Sequence, residues 1–306
     1  MDNQSSPITT LDLNFLGMPG IIASYLIPHT HGVVLVESGP GSTLPALRRN
    51  LHNLGYTERD VTHLLLTHIH LDHAGAAGWL ARQGAHIFVH PAGLPHLLNP
   101  EKLVSSARRI YGDLMDTLWG EVLPIPPECI TALPDDTEIE VAGLVFRAIE
   151  TPGHANHHHA YIHREVCFSG DVGGIRLPNT TFINIPMPPP EFILEKWRAS
   201  VARLQDEYMH GNFSSIAPTH FGTFTDPGKH LIELDKALVE LDLFIKTTLP
   251  SAPSDEQLIQ EFASWHHLRF SRDGNDPELE QAYESVNPTQ LSVSGIQRYW
   301  NKFSQP

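Results

Sequence analysis

The run Thr67-His68-Ile69-His70-Leu71-Asp72-His73-Ala74-Gly75 constrains this chain more than any other feature. It follows directly on 61–67, a short apolar stretch that reads as a buried strand. Four side chains able to hold a metal stand within six residues at its end. Borderline ions such as Zn²⁺ accept imidazole nitrogen and carboxylate oxygen readily. In an extended or tightly turned segment His68 and His70 can face one ion. Asp72 and His73, past the bend into the next helix, can face a second. The histidine content points the same way: there are twenty, where average usage would give roughly seven.

Three further signals stand at strand ends. Thr151-Pro152-Gly153-His154 closes an alternating segment over 137–150 that reads as a β-hairpin, and its Pro and Gly force a turn. Ser169-Gly170-Asp171 follows the apolar Val166-Cys167-Phe168, and a carboxylate there could bridge two cations. Pro218-Thr219-His220-Phe221-Gly222 follows a short strand at 215–218. Between these lie strands at 20–27, 32–37, 85–90, 158–163 and 165–169, and helices over 43–54, 74–83, 101–119 and 191–204. Ser42 or Thr43 is placed to cap the first helix. After His220 the pattern turns helical, with Leu231, Leu234, Leu238, Leu241 and Ile245 on one face of 229–248.

The order THIHLDHAG, TPGH, SGD and PTHFG resembles the metallo-β-lactamase superfamily, in particular its dinuclear hydrolase branch of glyoxalase II-like, acyl-thioesterase-like and lactonase-like members. The resemblance spans roughly residues 10–225 and implies an αββα sandwich, an α/β fold, with a C-terminal helical extension. It implies that His68, His70 and His154 hold a first metal, that Asp72, His73 and His220 hold a second, and that Asp171 bridges them. All seven positions are filled, which disfavours a mononuclear site and the antibiotic-degrading lactamases. One position departs: where relatives carry Asp-x-Gly, this chain has Glu37-Ser38-Gly39, so Glu37 would serve only by reaching further. The domain division that follows is 1–230 for the catalytic sandwich and 231–306 for helices packed on it.

The mechanism expected of such a site is hydrolysis of a small acyl substrate, a thioester or lactone, by a hydroxide bridging two divalent ions, with Asp72 carrying the proton to the leaving group. Zn is favoured, and N/O ligation also suits Fe and Mn. The loop 172–190 would wall the substrate pocket, with Arg176 either an anion contact or a solvated charge. His157 would lie near the metals or begin a strand of alternately exposed and buried imidazoles, while His86, His90 and His96 look peripheral. Cys167 reads as a core thiol.

A net charge of −15 argues against nucleic acid and anionic membrane as partners and leaves a small-molecule substrate. Two cysteines and no visible signal peptide suit the cytoplasm. The helical tail could be a lid or a homodimer surface. Two other readings compete: an iron-dependent oxidoreductase of the same fold, and a non-catalytic binding protein with a retained metal site. Diiron relatives with a flavin domain place Glu where His70 stands and need room that this chain lacks. Complete ligands disfavour a vestigial site.

Overall fold

The structure, a computed structural model, describes residues 7–272 and 275–303. Strands β1 (Thr9–Asp12), β2 (Ala23–His29), β3 (Gly32–Val36), β4 (Val61–Leu65), β5 (His86–Val89) and β6 (Ile130–Ala132) form one sheet in that spatial order. Its first three strands pair antiparallel and the rest are parallel. Strands β7 (Thr137–Val141), β8 (Leu144–Glu150), β9 (His159–His163), β10 (Val166–Phe168) and β11 (Ser215–Ile216) form the second sheet, ordered β11-β10-β9-β8-β7. Only its β10–β11 pair is parallel.

Helices α1 (Leu44–Asn53), α2 (Leu71–Ala74), α3 (Ala77–Gln83), α4 (Leu94–Leu98), α5 (Glu101–Tyr111) and α6 (Met115–Leu118) are interleaved with the first sheet. Helix α7 (Leu194–Met209) connects β10 to β11 of the second, and α8 (Pro227–Thr248), α9 (Asp255–Arg272), α10 (Pro277–Val286) and α11 (Thr289–Phe303) follow it. No helix among the described residues is long and apolar enough to cross a membrane.

The period of two along each strand builds the layers. Tyr25, Ile27, Val34 and Val36 point between the sheets, against Phe146, Tyr161 and Phe168. Their neighbours Leu26, Val33 and Leu35 point outward onto Leu47 and Leu51 of α1 and Leu80 of α3. In the second sheet Ala160, Ile162 and Cys167 turn outward onto Trp197, Val201 and Leu204 of α7 and Leu231, Leu234 and Leu238 of α8. The central strands are therefore covered on both faces and read as continuous apolar runs, whereas β7 and the start of β8 leave Glu138, Glu140 and Val145 exposed and keep the alternation. The result is the expected αββα sandwich with a helical C-terminal region.

Three expectations change. The division between residues 230 and 231 falls inside α8, which begins at Pro227 behind the N-cap Asp226. α8 packs on α7 over the second sheet, and Leu258 and Phe262 of α9 and Val293 and Ile296 of α11 join the same core cluster. The helix expected over 101–119 breaks at Gly112, whose φ of +52° suits a residue without a side chain. Thr43 stands at the α1 N-cap, yet its hydroxyl bonds back to the Pro40 carbonyl rather than to the helix.

His159 on β9 is fully buried with neither ring nitrogen hydrogen-bonded, beside His90 at 4.7 Å between ring centroids. Burial, then the His90 ring, hold its pKa down to about 3, from an ordinary value of 6.5. As pH falls through that window the unfolded chain takes up a proton that the folded chain refuses. The residue's contribution to stability is thus complete above 6.5 and lost below it, at up to about 1.4 kcal/mol per pH unit. His159→Phe is expected to flatten the acid limb of a stability-versus-pH curve. An unaltered acid limb would assign the sensitivity to other groups.

Candidate metal centre

Every residue of the centre follows the carboxyl end of a strand. β3 delivers Glu37, β4 delivers Thr67 to His73, β8 delivers His154, β10 delivers Asp171, and β11 delivers Thr219 and His220. Two turns need glycine. At Gly170 (φ +51°) a Cβ would lie 2.5 Å from Thr67 Oγ1. At Gly153 (φ +139°) it would lie 2.3 Å from the Trp197 backbone. The turn that aims Asp171 and the turn that aims His154 are each closed against a neighbour with no room for a methyl group.

The seven side chains converge in two sets. Donor atoms of His68, His70 and His154 lie within 4.8 Å of one another, and so do those of Asp72, His73, Asp171 and His220. His70 Nδ1 is 3.0 Å from His68 Nε2 and 2.9 Å from His154 Nε2. Asp171 divides its oxygens between the sets: Oδ1 is 3.3 Å from His73 Nε2 and 3.6 Å from His220 Nε2, while Oδ2 is 3.4 Å from His154 Nε2. Asp72 Oδ2 is 3.4 Å from both His73 Nε2 and His220 Nε2.

The outer nitrogens show what the inner ones are free to do. His154 Nδ1 donates to the Pro186 carbonyl at 2.9 Å, and His220 Nδ1 to that of Ile21 at 2.8 Å. His73 Nδ1 faces Glu37 Oε1 at 3.1 Å, and His68 Nδ1 faces Thr67 Oγ1 at 3.1 Å, a hydroxyl that itself donates to Glu37. These bonds orient the rings: four engage Nδ1 outward and turn Nε2 toward the centre. A single proton on His70 Nδ1 could serve only one of its two neighbours. His73 Nε2 and Asp171 Oδ1 are buried without any hydrogen bond. Converging nitrogens and carboxylate oxygens fit divalent cations, and the donor set suits Zn, Fe or Mn.

Charge balance agrees. Burial disfavours the ionised Asp72 and Asp171 carboxyls, but the His73 ring beside both, with His220 and, for Asp171, His154, outweighs it and holds each below the usual carboxylate range. Burial likewise opposes a charged His73, yet Asp72, Asp171 and Glu37 around it pull its pKa well up. His68 and His70 have no carboxylate excess; burial first, then the neighbouring rings, depress them, His70 to about 3. The second set thus seeks positive charge, while the first offers neutral imidazoles.

Glu37 does reach the centre. It is fully buried, sits at φ +67°, and accepts from Thr67 Oγ1 and, at 3.1 Å each, from His73 Nδ1 and Thr219 Oγ1. Its longer side chain and left-handed backbone together place the carboxylate behind His73, where it fixes that ring's tautomer. The Thr67 and Thr219 contacts went unread in the sequence, although each residue immediately precedes a candidate ligand. Glu37→Gln, which keeps shape but removes the charge, is expected to weaken metal retention by roughly 10- to 100-fold. A competition titration against a chelator measures this; undiminished retention would make Glu37 a purely structural group.

A cleft of about 410 Å³ opens over the centre. Its floor is His70, Asp72, His154, Asp171 and His220, and its walls include Ile110 and Tyr111 from α5, Pro186 and Pro188 to Pro190, and Leu291 from α11. The loop 172–190 does wall it, as expected. Arg176 does not: it is buried in an ion pair with Asp226 at 2.8 Å and stacked over Phe224 at 4.1 Å, so it is neither a solvated charge nor an anion contact in the cleft. His96, expected to be peripheral, lines the cleft. His157, His158 and His159 are all buried rather than alternating. His157 lies parallel over His68 (6.1 Å, 12°) and pairs with Glu191 at 3.0 Å. Glu191, unmarked in the sequence, also lines the cleft; burial opposes its ionised form, but His157 and the Asn156 amide hold its pKa down to about 2. Cys167 is a core thiol whose pKa burial pushes up.

A family model described as the metallo-beta-lactamase superfamily matches residues 17–207. A metallo-beta-lactamase fold-containing protein of Sulfurisphaera tokodaii is 28% identical over 60% of this chain and 68% of its own length. An atrochrysone carboxyl ACP thioesterase of Aspergillus fumigatus is 26% identical over 48% of this chain and 28% of its own. A hydroxyacylglutathione hydrolase of Aeromonas hydrophila is 29% identical over 48% and 44%. The chain thus spans less than half the length of those two enzymes. The solved structure of a metallo-beta-lactamase family protein from Thermus thermophilus superposes with a TM-score of 0.66 at 22% identity, covering 97% of this chain and 93% of that one. At that identity the likeness is one of fold.

Proposed function

Since this chain belongs to the metallo-beta-lactamase superfamily, we propose that it is a dinuclear metal-dependent hydrolase of small acyl substrates, a thioester or a lactone. One observation carries the reading: seven donors meet in two sets, with the two oxygens of Asp171 divided between them. His68, His70 and His154 would hold one divalent ion, Asp72, His73 and His220 the other, and Asp171 both. Two cations so held would lower the pKa of a coordinated water and polarise a scissile carbonyl.

The protein's own groups do the rest. Pro186 and Ile21 carbonyls and Glu37 lock the rings of His154, His220 and His73, so the donors need no reorganisation. Of the two acids that belong to the second set and line the cleft, Asp72 and Asp171, Asp72 is the more open, its side chain 21% exposed against 5%. In hydrolysis the acyl carbon bonds the water oxygen, its bond to sulfur or oxygen breaks, and a proton passes to the departing group. Asp72 is placed to carry that proton. Two relatives whose names state thioester or acylglutathione hydrolysis support the substrate class.

Elemental analysis of the purified protein beside a panel of a small thioester, a lactone and a phosphodiester tests this. Close to two ions per chain with turnover of the thioester or lactone is expected. One iron per chain would favour an oxidoreductase, and bound metal without any turnover a binding protein.

A further inference from the structure

A second cavity of about 560 Å³ adjoins the cleft, and the two share Asp72, His220, Ile110, Tyr111, Trp119 and Leu291. The metal centre therefore lies where two arms meet. The arms differ in charge. Apart from Asp72 and His220 at the junction, the second arm carries no charged or titratable side chain but Tyr111. Phe15, Ile21, Ile22, Leu114 and Trp119 line it, together with the polar but uncharged Ser285, Gln290 and Ser294. The first arm also has an apolar lining, Leu71, Leu103 and Pro188 within it, but it holds, beyond the centre, Lys102, Glu191, His96 and His157. Lys102 is exposed and Glu191 partly so, so this arm keeps a polar, hydrated end.

Building on the hydrolase reading above, we propose that the substrate is amphiphilic: an extended apolar acyl chain lies in the Phe15–Trp119 arm, and a polar leaving group lies in the Lys102–Glu191 arm. The carbonyl between them then falls at Asp72 and His220, the two metal-centre residues that line both. An apolar chain gains by leaving water for the uncharged arm, whereas in the other arm it would strip water from Lys102 and Glu191. Leu114, at 59% exposure, and Ile110, at 49%, extend the apolar lining to the surface and give such a chain its way in.

Hydrolysis-inert ketones, in which CH₂ replaces the sulfur of a thioester, separate binding from turnover. In one series an acetamidoethyl group stays on the sulfur side while the acyl side lengthens. In the mirror series the acyl side stays methyl while the other side lengthens. Calorimetry on the metal-loaded protein is expected to show about fourfold tighter binding per added methylene in the first series until the arm is filled. The mirror series should rise less steeply. Leu114→Glu, an exposed position whose change leaves the fold intact, should flatten the first series with an unchanged melting temperature.

A flat first series, or equal slopes in both, overturns the proposal. A steep first series without turnover of the matching thioesters keeps the arm assignment and removes the hydrolase reading. Turnover with a flat first series does the reverse.

Discussion

Asp171→Ala is expected to lower turnover on the order of a thousandfold, about 4 kcal/mol at 25 °C, and to leave at most one metal ion per chain. The size of the effect follows from the position of the carboxylate. Asp171 contributes an oxygen to each donor set, 3.3 Å from His73 Nε2 on one side and 3.4 Å from His154 Nε2 on the other. Without it two cations would face each other with no shared anion to offset their repulsion. Asp171→Asn keeps the shape and loses the charge, and so should resemble the alanine variant if charge is what matters. Elemental analysis and steady-state kinetics decide the point, with circular dichroism to show that the fold survives. Two ions and near-normal turnover in Asp171→Asn would mean that the carboxylate does not bridge.

Trp197→Ala is expected to destabilise the protein by about 4 kcal/mol, lowering the melting temperature by roughly 6 °C. Trp197 is fully buried on α7, and its indole N–H donates to the Val172 carbonyl at 2.9 Å. Its backbone closes against Gly153, and its ring meets that of His154 edge-on at 5.6 Å. Truncation opens a cavity in the helical layer and leaves the Val172 carbonyl without its donor. It also removes the wall behind His154, so metal retention should fall together with stability. Trp197→Phe should recover most of the packing but not the hydrogen bond. Thermal melts of the two variants separate these contributions; a loss in Trp197→Ala below about 1 kcal/mol would mean that the site collapses around the gap.

What the sequence made legible was local. THIHLDHAG, TPGH, SGD and PTHFG each sit within a few residues of a strand end, and strand ends are punctuated by Gly and Pro that a reader can see. Central strands covered on both faces gave apolar runs, which mark strands well and boundaries poorly. The short edge strands β1 and β6 went unread because four and three residues carry too little pattern. Side-chain destinations were harder. Arg176 is neutralised by Asp226, fifty residues later, and nothing in its own neighbourhood announces that partner. His96, Tyr111 and Leu291 lie on amphipathic helices whose stripes say that they pack, not on what. Glu37 was the instructive departure: the sequence asked it to reach further than an aspartate, and its left-handed φ aims the longer side chain behind His73.

The loop that bears His220 is tied to the first sheet: the Ala23 amide bonds the Thr219 carbonyl, and the Tyr25 hydroxyl bonds that of Pro218. Donors that meet within a few ångströms are thus contributed by positions from 68 to 220 along the chain. On the ribosome, residues 68–73 emerge with nothing to complete them, and stay so until both the 151–171 and the 218–222 segments have followed. An acidic, histidine-rich stretch therefore waits in the nascent chain as an open chelator. Only the docked pair of sheets turns it into a selective one, so a full complement of ions would certify that synthesis had passed His220 and that the two sheets had docked.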